Sequence, residues 1–278
     1  MIFCKKTILE MPKALRKALG EGTSSDTFAK AMQLQGKAFR DVPGRKTMQC
    51  ALAGKSYFIK QHFGVGWGEI IKSFLSGKTP IIGAMTEVNA IQKLDEIGIP
   101  TTPLVAYGQQ GCNPASMRSF VLTEDLGDID SLEDICADWH ENPPDASFKR
   151  KIIIAIAQLA AKLHNAGLCH RDFYLCHFAI KKAELVQGKI EYYLLDLHRM
   201  LQSQQPNSSA VMKDIAGLYF SMLDFGFDEE DLALFKQEYL PQNADFWRKV
   251  EARANALYSK FHSEKFQKRL IKENAARD

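Results

Sequence analysis

No stretch of the 278 residues approaches the roughly 20 consecutive apolar side chains that would span a bilayer. The first twenty residues carry Lys5, Lys6, Lys13, Arg16 and Lys17 but no apolar run of the kind that marks a secretory leader. Cysteine is scarce and scattered, at positions 4, 50, 112, 136, 169 and 176 without a CxxC pair. That spacing argues against a disulfide framework and predicts reduced thiols in a reducing compartment. Internal repeats and low-complexity blocks are absent as well, which excludes a solenoid or a linker-rich chain. What remains, 46% apolar and 25% charged residues, is the profile of an ordinary globular protein large enough for one big domain or two lobes of a single fold. The expected location is the cytosol, with contact at a membrane surface left open.

Charge of one sign is also scarce overall, at a net +3, but it is unevenly placed. Residues 1–50 hold ten Lys/Arg against four Asp/Glu, and residues 245–278 hold nine against five. Basic ends suit anionic lipid, a phosphorylated substrate, nucleic acid or an acidic protein; solvated helix faces would read the same way. The aromatics of the C-terminal third (Phe235, Tyr239, Phe246, Trp247, Tyr258, Phe261, Phe266) alternate like core residues, which argues against nucleic acid as the partner.

The chain starts as a charged lead-in with one short helix near Lys13–Leu19, stopped by Gly20 and Gly22. From Phe39 to His62 the pattern turns to β, with strands Thr47–Leu52 and Tyr57–Lys60 divided by turns at Val42-Pro43-Gly44-Arg45-Lys46 and Ala53-Gly54-Lys55-Ser56. Gly44 is the candidate for a loop over phosphates, although a lone glycine fits a plain hairpin equally well. Residues 63–83, with Gly64, Gly66, Trp67, Gly68, Phe74, Gly77, Pro80 and Gly83, form an insertion facing an acceptor or a membrane, or simply a structured loop. Helical spacing then runs from Ala84 to Ile97, with Val88, Ile91 and Leu94 on one face and Glu87 at its edge. Two further strands, Leu104–Gly108 and Ser119–Thr123, lead into Glu124-Asp125-Leu126-Gly127.

A second half follows that boundary. Ser131-Leu132-Glu133-Asp134 opens a short helix, and Phe148–Ala166 is a core helix closed by Gly167. It delivers His170-Arg171-Asp172-Phe173-Tyr174-Leu175-Cys176-His177-Phe178. Phe178–Ile180 and Ile190–Leu195 are expected to pair as a hairpin around Gln187-Gly188, ending at Asp196. A helix from Val211 to Leu223 carries Asp214 near its start, where a carboxylate either binds catalytic-loop amides or only favours the helix dipole.

A His-Arg-Asp loop followed by an aspartate about two dozen residues on, at a strand end, is the pattern of a kinase cleft. Phosphoryl transfer needs a base beside the acceptor hydroxyl, magnesium on the phosphates and cations against the spreading charge. Asp172 is the expected base and Asp196 the hard oxygen ligand for magnesium. Lys60, at a strand end, is the cation for the ATP phosphates, paired with Glu87. The Glu124 carbonyl and the Leu126 amide are the expected adenine contacts. His177 stands where a protein kinase has a metal-binding Asn; it is assigned to the metal with Asp196, although imidazole is a poor magnesium ligand and phosphate or substrate contact is the alternative. The order predicts an α+β, protein-kinase-like two-lobe fold. Residues 1–126 would form an N-terminal lobe of antiparallel sheet plus one helix, and residues 127–278 a mostly helical C-terminal lobe with the catalytic loop.

Two motifs mislead. Asp224-Phe225-Gly226 spells the kinase metal triplet but lies 52 residues past Asp172, behind a helix; it reads as a helix C-terminal turn. Cys169/His170 with Cys176/His177 suggests zinc, but adjacent pairs lack chelate spacing. Only 17 residues separate Asp196 from Asp214, without an Ala-Pro-Glu segment, and Tyr174 replaces the lysine of peptide kinases. The acceptor is therefore expected to be a small or sugar hydroxyl.

From about Phe28 to Lys260 these residues resemble the lipopolysaccharide core heptose(I) kinases of Gram-negative bacteria. The likeness rests on Leu34-Gln35-Gly36-Lys37, Ala53–Lys60, Ser131–Asp134 with Cys136-Ala137-Asp138-Trp139, Asn142-Pro143-Pro144, the stretch from His170 to Phe178, and Leu195-Asp196-Leu197-His198-Arg199. The last two are the specific ones; Phe173 departs from the family, which usually has Cys there. The resemblance implies ATP-dependent phosphorylation of the first inner-core heptose with Asp172 as base. It also implies a lipid-linked acceptor at the inner face of the inner membrane, where basic ends would meet anionic lipid. Kinases for another core sugar (heptose II or Kdo), or an inactive nucleotide-binding membrane scaffold, remain as alternatives.

Overall fold

The computed structural model describes residues 6–75 and 80–274; Cys4, Lys5 and Gly77, singled out above, lie outside them, as do the last four residues of the basic C-terminal end. The chain divides into two compact units, Met1–Gly127 with Asp196–Arg199, and Asp128–Leu195 with Met200–Asp278.

The first unit contains β1 (Thr7–Glu10), α1 (Lys13–Ala18), α2 (Ser24–Ala31), β2 (Lys37–Val42), β3 (Arg45–Leu52), β4 (Lys55–His62), α3 (Gly66–Leu75), α4 (Met85–Glu96), β5 (Leu104–Gln110) and β6 (Arg118–Glu124). Its six strands form one antiparallel sheet in the order β1-β5-β6-β4-β3-β2. Period-two alternation turns Met48, Cys50, Tyr57 and Ile59 into a core shared with Phe28, Phe120 and Leu122. The opposite face of the same two strands is thereby left to Arg45, Thr47, Lys60 and His62, with Arg45 registered against His62 and Thr47 against Lys60. The helix foreseen at Ala84–Ile97 is α4, which buries Glu87 together with Val88, Ile91 and Leu94.

The lead-in is more structured than its charge implied. β1 pairs with β5, and α2 buries Thr27, Phe28 and Ala31 beneath the sheet. Four residues of strand are too short for a periodic signal. The start of α2 is set by a capping box in which Thr23 pairs with Asp26, where the usual partner would be Glu or Gln.

The second unit contains β7 (Ile129–Ser131), α5 (Leu132–Cys136), α6 (Ala146–Asn165), β8 (Phe178–Lys181), α7 (Lys182–Val186), β9 (Tyr193–Leu194), α8 (Ser209–Asp224), α9 (Glu229–Glu238), α10 (Ala244–Phe261) and α11 (Glu264–Asn274). β7, β8 and β9 form a small antiparallel sheet. α6 starts at Asp145, whose carboxylate accepts from the Ser147 and Phe148 amides, and it buries Ile152, Ile153, Ile156, Ala157, Ala160 and Leu163. Gly167 at φ +73° ends the run and releases the chain into the His170–Phe178 loop.

Two expectations need correction. The segment from Phe178 to Leu195 is not a plain hairpin: its strands do pair, Phe178 against Leu194, but α7 fills the connection and Ile190 and Glu191 lie outside β9. And although Cys50, Cys136, Cys169 and Cys176 are free thiols, Cys112 is disulfide-bonded. Spacing alone cannot register a bond that folding brings together. No helix among the described residues is long and apolar enough to cross a membrane.

Candidate active site

In the first unit the outward face of β3 and β4 gathers charge around one ammonium. Lys60 Nζ lies 2.6 Å from Glu87 Oε1 on α4 and 3.2 Å from Asp196 Oδ1. His198 Nδ1 is 2.6 Å from the same Asp196 oxygen, and the Arg45 guanidinium is 3.8 Å from it. Asp196 takes φ +59°, a left-handed conformation uncommon for a residue with a side chain, held here by its carboxylate contacts. Burial alone would push its carboxyl up. The hydrogen bond with His198 and the charge of Lys60 override that and hold it far below the usual carboxylate range. Lys60 is likewise penalised by burial, but Glu87 and Asp196 more than compensate and raise its pKa. Asp196 and Lys60 are thus both held in their charged forms, an oxygen ligand and a cation facing an anionic substrate with the Arg45 guanidinium beside them.

Arg45 and a second group on this strand face, His62, lay outside the sequence reading. Arg45 follows Gly44 in the β2–β3 turn, where its Nε is buried without a hydrogen-bond partner. His62 is buried too, and its Nε2 has no partner. Burial, reinforced by the charges of Arg45 and Lys60, pulls the His62 pKa down to about 4, so it is neutral at physiological pH. A signal for both existed: they share the strand face of Lys60 at even spacing, Arg45 two residues before Thr47 and His62 two residues after Lys60.

Gly44 sits at the tip of the β2–β3 turn, with Pro43 before it, and takes φ +81°, the left-handed value a type II turn needs at its second central position. A Cβ there would come within 2.8 Å of the Gly64 carbonyl, so the turn also packs against the start of the 63–83 insertion. At the end of β6, Glu124 is exposed and its amide donates to the Pro103 carbonyl. Leu126 follows two residues later and is half-buried. Between them Asp125, also not foreseen, accepts from Gln49 Nε2, Ser56 Oγ and the Gly127 amide, fixing the strand end against β3 and β4.

In the second unit the His170–Phe178 loop is shaped by one stripe of α8. Asp214 accepts the His170 amide at 2.5 Å and the Arg171 amide at 2.8 Å. One turn on, Gly217 lets the loop approach closely: a Cβ would stand 3.2 Å from Tyr174 Cε1 and 3.3 Å from the Phe173 carbonyl, tight enough to push them back by a few tenths of an ångström. Another turn on, Ser221 Oγ accepts the Leu175 amide. The positions 214, 217 and 221 follow helical spacing, so α8 presents an acceptor, a gap and an acceptor to successive residues of the loop. Arg171 takes φ +74° within it.

His170 Nε2 donates to the Leu195 carbonyl and His177 Nδ1 donates to the Asp172 carbonyl, so both histidines tie the loop to its surroundings. Phe173 is buried against the rings of His164, His170 and Phe178. The zinc arrangement of Cys169/His170 with Cys176/His177 is not what folding assembles; His164, Cys169 and Asp214 meet instead, with Asp214 bound to loop amides and His164 to the Tyr239 hydroxyl. Asp224 ends α8, and Gly226 at φ +79° turns the chain away, as read from the sequence.

Comparison with known proteins gives the frame for these geometries. Residues 29–239 match the model of the lipopolysaccharide kinase (Kdo/WaaP) family. A protein described as lipopolysaccharide core heptose(I) kinase WaaP from Pseudomonas aeruginosa is 37% identical over 244 residues, 84% of this chain and 91% of that one. Its namesake from Escherichia coli K12 is 40% identical over 216 residues, 77% and 81% of the two chains. A solved structure described as WaaP in complex with acyl carrier protein superposes with a TM-score of 0.75 at 31% identity, covering 90% of this chain and 99% of the other.

Proposed function

The chain belongs to the lipopolysaccharide kinase (Kdo/WaaP) family, and on that premise we propose how its residues divide the work of a heptose kinase. The fold is the α+β, protein-kinase-like one, and the protein is an ATP-dependent sugar kinase that phosphorylates heptose I of the lipopolysaccharide inner core.

Asp172 takes the proton of the acceptor hydroxyl, and the His177 hydrogen bond to its own carbonyl keeps the residue in place. Lys60 meets the ATP phosphates, held on station by Glu87. Arg45 adds a second cation at a turn that offers only Gly44 as backbone freedom, in place of a longer glycine loop. The Glu124 carbonyl and Leu126 amide bind adenine at a strand end that Asp125 stiffens. The donor set fits magnesium: Asp196 is a hard oxygen ligand kept ionised and partly accessible. A magnesium role for His177 would fall to Nε2, since Nδ1 is engaged with Asp172. When bound, the ion offsets charge on the phosphate oxygens.

The single observation that carries this division is the Lys60 ammonium between Glu87 and Asp196, 2.6 and 3.2 Å away, the ion pair and metal ligand of a phosphotransferase in one contact set. The acceptor is lipid-linked, so the enzyme works at the inner face of the inner membrane, and a second partner is an acidic protein of the acyl-carrier type named for the solved relative. Mass spectrometry of core oligosaccharide incubated with ATP and the protein should show one added phosphate on heptose I. Cores truncated before heptose I should gain none. Phosphate on Kdo or on heptose II instead would overturn the acceptor assignment.

A further inference from the structure

The helix α3 buries the wrong face for a helix of a globular protein. Amphipathic helices turn their apolar stripe inward, yet in α3 only Ile70 is buried. Trp67, Ile71, Phe74 and Leu75, at positions i, i+4, i+7 and i+8, form one continuous stripe that is 56, 53, 66 and 84% exposed. The helix is fixed at its start by backbone: the Gly66 amide donates to the Ala115 carbonyl, and Gly64 packs so closely on Ala115 and Ser116 that a Cβ would collide. Exposed Phe63 lies beside this anchor with the Arg118 guanidinium 5.9 Å from its ring. An outward stripe of four large apolar side chains on a rigidly held helix calls for a covering surface.

We infer that α3 docks flat on the surface of an anionic phospholipid bilayer, its Trp67–Leu75 stripe entering the headgroup–acyl boundary. Three features select lipid over protein. Tryptophan and phenylalanine are the residues favoured at that boundary, and the stripe itself carries no charge that would pair with an acidic protein. Lys72 flanks the stripe on the polar side beside Glu69, 3.5 Å away, and Arg118 sits by Phe63, so the cation at headgroup level without an acidic neighbour on α3 itself is Arg118. Residues 1–127 carry sixteen Lys/Arg against ten Asp/Glu, a charge that draws the unit to anionic lipid and repels a second copy of itself. The inference rests on the reading of the acceptor as lipid-linked, for which a surface-bound helix would hold the enzyme at the depth of its substrate.

Flotation of the full chain with phosphatidylethanolamine–phosphatidylglycerol vesicles, against phosphatidylcholine alone, tests it. The wild type should float with the anionic vesicles only. Trp67→Ser and Phe74→Ser, both exposed and therefore harmless to folding by circular dichroism, should each lower the bound fraction about tenfold. Both variants should keep wild-type turnover on delipidated core oligosaccharide and lose it on lipid-linked acceptor. A wild type that does not float, or variants that float as well as it does, overturns the inference. So does a loss, in the variants, of self-association or of acyl carrier protein binding while flotation persists. A failure of the acceptor reading looks different, since the wild type itself then transfers phosphate to delipidated core but none to the lipid-linked acceptor, while its flotation is untouched.

Discussion

At the scale of single residues the protein concentrates its risk in a few charges. Lys60→Ala leaves Glu87 buried opposite nothing, with an Oε2 that already has no partner. Removing one member of a buried pair costs about 3–5 kcal/mol, so the variant should melt at clearly lower temperature and fail to bind ATP in calorimetry. Asp172→Ala is the contrasting case: it should bind ATP as the wild type does and transfer no phosphate to core oligosaccharide, and measurable turnover would remove it as the base. These two positions were picked out in the sequence because their neighbours spell a known order. Arg45, His62 and Asp125 were not, because each acts through a cross-strand register or a long-range contact that no local window contains. His62 stands opposite Arg45 only once β3 and β4 are paired.

At the scale of elements, α8 is the part whose role the sequence half disclosed. Asp214 was noticed, but Gly217 and Ser221 carry no motif, and what they do is visible only when the loop lies against them. Gly217→Val should push Tyr174 and the Phe173 carbonyl away from the helix, lowering kcat at least tenfold with little change in the KM for ATP. Asp214→Asn keeps the shape but trades a carboxylate for an amide that can accept only one of the two loop hydrogen bonds well. About 1.5–3 kcal/mol is expected for a lost charge-assisted bond, readable as a lower denaturation midpoint. The helix pattern of α6 and α4 was easy to read because both carry long apolar stripes with caps. β1 and α7 were missed because four or five residues give no period to detect.

At the scale of the whole molecule, the buried groups set a pH window. His62 has its folded pKa pulled down to about 4, below its unfolded value of about 6.5. The unfolded chain therefore binds the proton first, and stability falls as pH drops from about 6.5 toward 4, by about 3 kcal/mol in total. Asp196, held far below the usual carboxylate range, adds a loss only in stronger acid, as pH falls through its folded value. Thermal midpoints recorded between pH 7 and pH 4 should decline, and His62→Gln should flatten that decline. The chain divides after Gly127, and Asp196–Arg199 return to the first unit, a grouping that no linear reading contains.

The bracing of the catalytic loop by Asp214, Gly217 and Ser221 has a bearing on control. Peptide kinases hold a separate, long activation segment dormant until it is modified; here only 17 residues lie between Asp196 and Asp214, and a packed helix braces the His170–Phe178 loop. Phosphatase treatment should leave kcat unaltered. A loop braced this way would leave the rate set by how much of the protein the cell makes and how fast unfinished core reaches it.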